Sequence, residues 1–214
     1  MVRAVEAVAS GKQSVLEIGP GSTPFSAATE FVDWQAWPEL AGRRVHVLDI
    51  NQDPLPFADQ SFDFVYCRHT LEDLYNPFLV CREMARVGRA GYVETPSPIA
   101  ECSRGVDGGG AAWRGYHHHR YVVWAHEGTL NFVPKYPIIE HLNFAEAEAE
   151  LIKLLNAHPM FWNTYYFWEG PLRYNAFRHD QEFKIAEDYA RLLLTAVQQC
   201  AAETQRVAER YIKE

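Results

Sequence analysis

The sequence predicts an α/β fold built on a doubly wound, mostly parallel sheet, and three observations carry that expectation. Five strand-like runs, Val15 to Ile18, Ala28 to Asp33, Arg44 to Asp49, Phe62 to Cys67 and Arg89 to Glu94, arrive within about eighty residues. Such spacing is too close for the paired hairpins of an all-β protein and right for the short crossovers of a parallel sheet. The last four of them end in acidic or polar residues. The first run breaks into the turn Gly19-Pro20-Gly21, at the strand end where open α/β sheets hold ligands.

Taken in order, Met1 to Lys12 reads as a short lead-in helix. Gly19 and Gly21 leave the backbone bare where a ligand can press against it, and Glu17 puts a carboxylate at the end of the first strand. A dinucleotide loop of the form Gly-x-Gly-x-x-Gly is not met, because Pro24 stands at the third glycine. Asn76-Pro77 starts a helix that ends at Val87-Gly88, since proline is tolerated in the first helical turn. After a turn at Thr95-Pro96-Ser97-Pro98, Gly105 to Gly110 is a flexible loop by composition and a candidate lid. Glu127-Gly128 reads as the turn of a hairpin whose second strand runs from Thr129 to Val133. Glu146 to Ala157 reads as helix, and Phe161 to Trp168 with Leu172 to Phe177 as two aromatic strands around Glu169-Gly170-Pro171. From Gln181 to Glu214, apolar residues at helical spacing predict one long amphipathic helix, which either packs on its own domain or pairs with a second copy as a homodimer.

The chain resembles the class I, seven-strand methyltransferases that depend on S-adenosylmethionine, of the methyltransferase type 11 kind. The pieces that carry the resemblance are Leu16-Glu17-Ile18-Gly19-Pro20-Gly21, Asp49-Ile50, the string from Leu55 to Cys67 with Leu55-Pro56-Phe57 and Ser61-Phe62-Asp63, and His69-Thr70-Leu71-Glu72-Asp73. Together they cover residues 14 to about 98. The resemblance implies a seven-stranded, Rossmann-like sheet closed by the two aromatic strands, with S-adenosylmethionine as cofactor and S-adenosylhomocysteine as product. It also implies a cofactor-binding set of Glu17, Gly19, Pro20, Gly21, Asp33, Asp49, Ile50 and Arg68. An acid closing the second strand usually takes the ribose, and Asp33 and Asp49 compete for that place. Were it Asp49, the third strand would have to run through Pro54 and Pro56, which lack ladder donors. Asp33 is therefore given the ribose, and Asp49 with Ile50 the adenine. Two departures stand out: Ser22-Thr23-Pro24 replaces a further glycine, and Asp73 stands where many relatives carry a second histidine.

A chain of 214 residues is expected to form one domain, 1–214, in which 99–142 is a substrate-side insertion and 181–214 the C-terminal helix. The net charge of −8, with no basic run, argues against a nucleic-acid partner, because phosphate backbones are bound by clustered Lys and Arg. No stretch approaches the roughly twenty apolar residues of a membrane span; no membrane partner and a cytoplasmic location are expected. Cys67, Cys81, Cys102 and Cys200 show no paired spacing and read as reduced, mostly buried thiols.

Methyl transfer from a sulfonium needs an acceptor held in line and, for a hydroxyl or a protonated amine, a base. His69, two residues past the fourth strand, Glu94, closing the fifth, and His119 are the candidate catalytic residues. His117-His118-His119-Arg120 allows three readings: surface or packing histidines, polar lining of an acceptor pocket, or part of a metal site with His126 or Glu127. On an extended segment His117 and His119 would share one face. No HExxH string or cysteine partner supports the metal, so none is expected. Arg120 either meets an anionic substrate group or salt-bridges the insertion. The function expected is methyl transfer to a small-molecule or glycan-type acceptor, at oxygen or nitrogen rather than carbon. The alternative is a non-catalytic, methyltransferase-like binding or dimerisation protein, and a nicotinamide oxidoreductase is weakened by Pro24.

Overall fold

A computed structural model describes residues 1–108 and 113–212, and the side chains of 145–147 are not described. Gly109 and Gly110 of the candidate lid, and the last two residues of the expected C-terminal helix, lie outside the described residues. The chain forms two compact units, one of residues 1–94 with 166–173 and one of residues 95–165 with 174–214.

In the first unit, α1 (Val2–Ala9) precedes β1 (Val15–Ile18), β2 (Glu30–Asp33), β3 (Arg44–Val47), β4 (Phe64–Arg68), α2 (Pro77–Val87) and β5 (Ala90–Pro96). The strands lie in the order β3-β2-β1-β4-β5, and every pair from β3 to β5 is parallel. All four residues of β1 are buried, as an interior strand covered on both faces requires. Register places Ile18 beside Val32 and Cys67, so β1, β2 and β4 end together and their following loops share one edge.

Leu55 to Asp63, the most distinctive string of the sequence, forms no strand. It clamps α2. Arg86 donates to the carbonyls of Leu55 (2.9 Å) and Phe57 (2.7 Å), Glu83 accepts from Leu55 N (2.7 Å), and Gln60 donates to the carbonyl of Gly88 (3.1 Å) beyond the helix end. Asn76 caps the other end by accepting from Leu79 N. Gly91 is imposed by packing, because a Cβ there would stand 2.3 Å from the Val65 carbonyl and 2.7 Å from the Trp168 ring.

Among the described residues six strands make this sheet, where seven were expected. The sixth, β8 (Asn163–Glu169), takes the place beyond β5, but its expected partner does not join it. That segment, β9 (Tyr174–Ala176), belongs to the second unit and pairs parallel with β7, where Asn175 donates to Asn131 (3.1 Å) and Phe177 N to Phe132 O (2.9 Å). A partner offering both ladder bonds and a side-chain amide bond outcompetes the sheet edge.

The second unit also holds α3 (Pro98–Cys102), a helix directly after the expected turn at Thr95 to Pro98, the hairpin β6 (Tyr121–His126) and β7 (Thr129–Pro134), α4 (Ala145–Ala157) and α5 (Glu187–Tyr211). The hairpin turn is the expected pair, Glu127 (φ 48°) and Gly128 (φ 69°), both left-handed as a two-residue loop on twisted strands demands. The long helix begins at Glu187 rather than Gln181, and Asp188 accepts from Lys184 N (2.8 Å) across its first turn. Its apolar stripe, Tyr189, Leu193, Ala196, Val197 and Cys200, lies in the core of its own unit with Ile99, Trp124 and Phe161. No helix among the described residues is long and apolar enough to cross a membrane. All four cysteines are buried and free, and burial pushes the thiols of Cys81 and Cys102 up to about 12.

Candidate functional site

The shared edge of β1, β2 and β4 opens into a cleft of the first unit. Two adjoining hollows, about 290 and 300 Å³, have Gly19, Gly21, Trp37 and His69 in common. Gly19 sits at φ 71° with its N–H donated to Val32 O (2.9 Å), and a Cβ at that position would fall 2.2 Å from Oγ1 of Thr70. No other residue fits there without moving the segment after β4. Gly21, at φ 52°, has open space on its Cβ side and donates to the Asp33 carboxylate (3.1 Å). The glycine turn is thus tied on one side to β2 and braced on the other by Thr70.

Acids line this cleft. Glu17 is 2 % exposed and accepts from Phe25 N (2.7 Å), which folds the loop back over the strand. Burial pushes its carboxyl up to about 7, against the opposing effect of the Phe25 bond and of Arg68. Arg68 donates to Thr23 Oγ1 (3.0 Å), and Pro20 lines the same hollow as Glu17 and Arg68. Asp33 closes β2, buried, with Gln35 N and Gly21 N on its oxygens. Asp49 follows β3 in a turn, exposed, accepting from Asn51 and Gln52, which hold its carboxyl below the usual range. Ile50 beside it is buried in the cleft wall.

His69 has φ 49°, a left-handed conformation uncommon for a residue with a side chain, and its N–H is held by Glu94 O (2.8 Å). Its imidazole, 41 % exposed, stands between two buried carboxylates: Nδ1 is 3.5 Å from Glu72 and Nε2 is 3.7 Å from Glu94. Glu94 in turn accepts from the Tyr92 hydroxyl. Of the three candidate catalytic residues, the fold therefore brings His69 and Glu94 together. His119 belongs to the second unit, where it bonds Glu101 (2.7 Å), itself bound to Lys135 (2.5 Å). The run 117–119 is a turn, not the extended segment expected, because His119 N reaches back toward Tyr116 O. His117 is exposed on Asp107 (2.6 Å), while His119 is buried.

Several cleft residues escaped the sequence reading. Trp34 and Trp37 follow Asp33 and pack edge-on (6.5 Å); Trp34 is 69 % exposed, and the buried Nε1 of Trp37 has no hydrogen-bond partner among the described residues. Their signal was there, as two tryptophans within four residues of a strand-closing acid. Thr70 lay in a string that carries the resemblance, but only the fold sets it against Gly19, and Leu74, with no signal of its own, lines the same hollow as Ile50.

Solved structures that resemble the chain include a SAM-dependent methyltransferase from Aquifex aeolicus (19% identity, TM-score 0.37, 45% of this chain and 64% of that one). Another is a SAM-dependent methyltransferase, possible histamine N-methyltransferase, from Thermotoga maritima (22%, 0.37, 48% and 51%). A third is the N-terminal domain of EvdMO1 with SAH bound (19%, 0.36, 45% and 48%). The chain spans about half to two thirds of the length of these structures. No curated protein matches it. Residues 16–93, which build the sheet edge and the cleft just described, match the family model described as a methyltransferase domain. Over that stretch, which is under half of the chain, the chain is similar to the methyltransferase domain family.

Proposed function

We propose that the cleft of the first unit binds S-adenosylmethionine and that the protein transfers its methyl group to a small-molecule or glycan-type acceptor, at oxygen or nitrogen rather than carbon. One observation carries the reading: a single cleft gathers the Gly19 turn, with room only for a bare backbone, the Asp33 carboxylate and the Ile50 wall. The residues fit the cofactor. Asp33 offers oxygens to the ribose hydroxyls, while Ile50, Leu74 and the exposed Trp34 offer apolar faces to the adenine. The free indole N–H of Trp37 offers a donor, and Asp49 an acceptor for the exocyclic amine. Glu17 and Arg68 face the polar hollow, where a carboxylate and a guanidinium suit the amino and carboxyl groups of the methionine part.

When bound, the cofactor supplies a methyl group on a positively charged sulfur, already activated toward in-line displacement. The chain's part is to place the acceptor. His69, which lines the cleft, and Glu94, 3.7 Å from its Nε2, are proposed to receive the acceptor's polar atom. Residues 99–142 are read as the segment that selects it, and the charge of −8 favours an acceptor other than a nucleic acid. Titration calorimetry tests the core of this reading. S-adenosylmethionine is expected to bind at micromolar concentration and NADH not at all. Silence to both would leave a non-catalytic scaffold, and a response to NADH alone an oxidoreductase.

A further inference from the structure

We infer that Glu72 is a positioning residue that holds the His69 imidazole with Nδ1 protonated and its Nε2 lone pair turned to the cleft side of Glu94. The inference rests on the methyl-transfer reading and names how the same site handles a proton.

The observation behind it is a carboxylate in an unfavourable place. Glu72 is 1 % exposed, and neither of its oxygens has a hydrogen-bond partner among the described residues. Buried carboxylates are normally paired or supplied with donors, because desolvating the charge is costly. Beside Glu72 stands the His69 imidazole, at an Nδ1 to Oε1 separation of 3.5 Å. The same imidazole sits on a left-handed backbone, anchored through its N–H to Glu94 O. Strained backbone and an undersupplied buried charge thus meet on one side chain, the pattern of a site that spends stability on geometry.

The two carboxylates differ, and the difference divides their roles. Glu72 does not line either hollow, and its oxygens have no hydrogen-bond partner among the described residues. It fixes the tautomer by accepting from Nδ1. Glu94 already accepts from the Tyr92 hydroxyl and lies 3.7 Å from Nε2. It is placed to stabilise the positive charge that appears when Nε2 takes a proton. As an oxygen or nitrogen acceptor forms its bond to the methyl carbon, the carbon–sulfur pair leaves with sulfur. The acceptor's proton then passes to Nε2 and on to solvent, to which the half-exposed ring is open.

The test needs no acceptor. In the full-length protein labelled with 15N-histidine, the ring nitrogens of His69 are assigned by their loss in His69→Gln and followed in Glu72→Gln, Glu72→Met and the control Glu30→Gln, which touches His46 instead. The wild type is expected to show one tautomer, protonated at Nδ1. Glu72→Met is expected to let the two tautomers mix and Glu72→Gln to weaken the preference, with the control unchanged. Because a buried charge short of donors is removed, the melting temperature of Glu72→Met is expected to hold or rise, where loss of a merely structural bond would lower it. Unaltered His69 nitrogens in both folded Glu72 variants would overturn the inference. Failure of the methyltransferase reading shows separately, as absence of S-adenosylmethionine binding by the wild type.

Discussion

Two histidines divide the molecule. His119, in the second unit, is 4 % exposed at its side chain and completes a closed set: Glu101 takes its Nδ1 and the Lys135 ammonium, which also donates to the carbonyls of Arg114 (3.0 Å) and Tyr116 (2.6 Å). His69, in the first unit, meets two carboxylates at longer distance, and one of them, Glu72, has no hydrogen-bond partner among the described residues. The residue types are the same and the burial of the acids is similar. What differs is satisfaction. A buried charge with every partner in place pins a loop, whereas one left short of partners depends on the single imidazole beside it.

The sharpest break in that comparison comes from the cleft itself. Gly19→Arg sets a side chain on Thr70 and on a left-handed backbone, so calorimetric uptake of S-adenosylmethionine should disappear while the second unit keeps its helical signal. Next in size, Glu101→Ala leaves Lys135 buried without its carboxylate and should cost about 3–5 kcal/mol in chemical denaturation. If that loss were no larger than for Glu72→Met, the distinction between satisfied and unsatisfied charge would fall. A smaller effect is expected of Asp33→Ala, about 1–3 kcal/mol in cofactor binding from lost charge-assisted bonds, with the glycine turn loosened through Gly21.

Glu17 sharpens the comparison through pH. Its folded carboxyl titrates at about 7 against 4.5 ordinarily, so the folded state holds a proton that the unfolded chain has lost. The stability this contributes is complete below about 4.5 and fades as pH rises through 7. Binding of a cationic cofactor should run the other way, tightening as pH climbs to 7 and levelling above it, and Glu17→Gln should flatten that rise. The smallest effect belongs to the thiols: at pH 8 iodoacetamide should leave Cys67, Cys81, Cys102 and Cys200 unmodified in the folded protein, since each is buried and its thiol raised by burial.

Much of the first unit was legible because parallel strands, buried on both faces, are written as short apolar runs, and Gly19 announces a backbone no side chain can follow. The Asp33 strand end was legible by elimination, through the two prolines that forbid a strand after Asp49. Strand pairing was not. Tyr174 to Ala176 has the composition of a sheet edge, and a competition between two edges depends on partners far along the chain, such as Asn131. The histidine run misled for a related reason, since its turn is set by Glu101 and Lys135, distant in sequence and silent alone.

By itself, then, the order of residues determined the local conformations: which runs extend, where the glycine turn falls, and which helix faces are apolar. Those follow from neighbours within a few positions. Only the tertiary structure decided that Thr70 fills the space beside Gly19, that Glu72 is stranded under His69, and that Glu101 is not. Burial and hydrogen-bond supply are properties of the packed chain, and they separate an acid that holds the protein together from one poised to act.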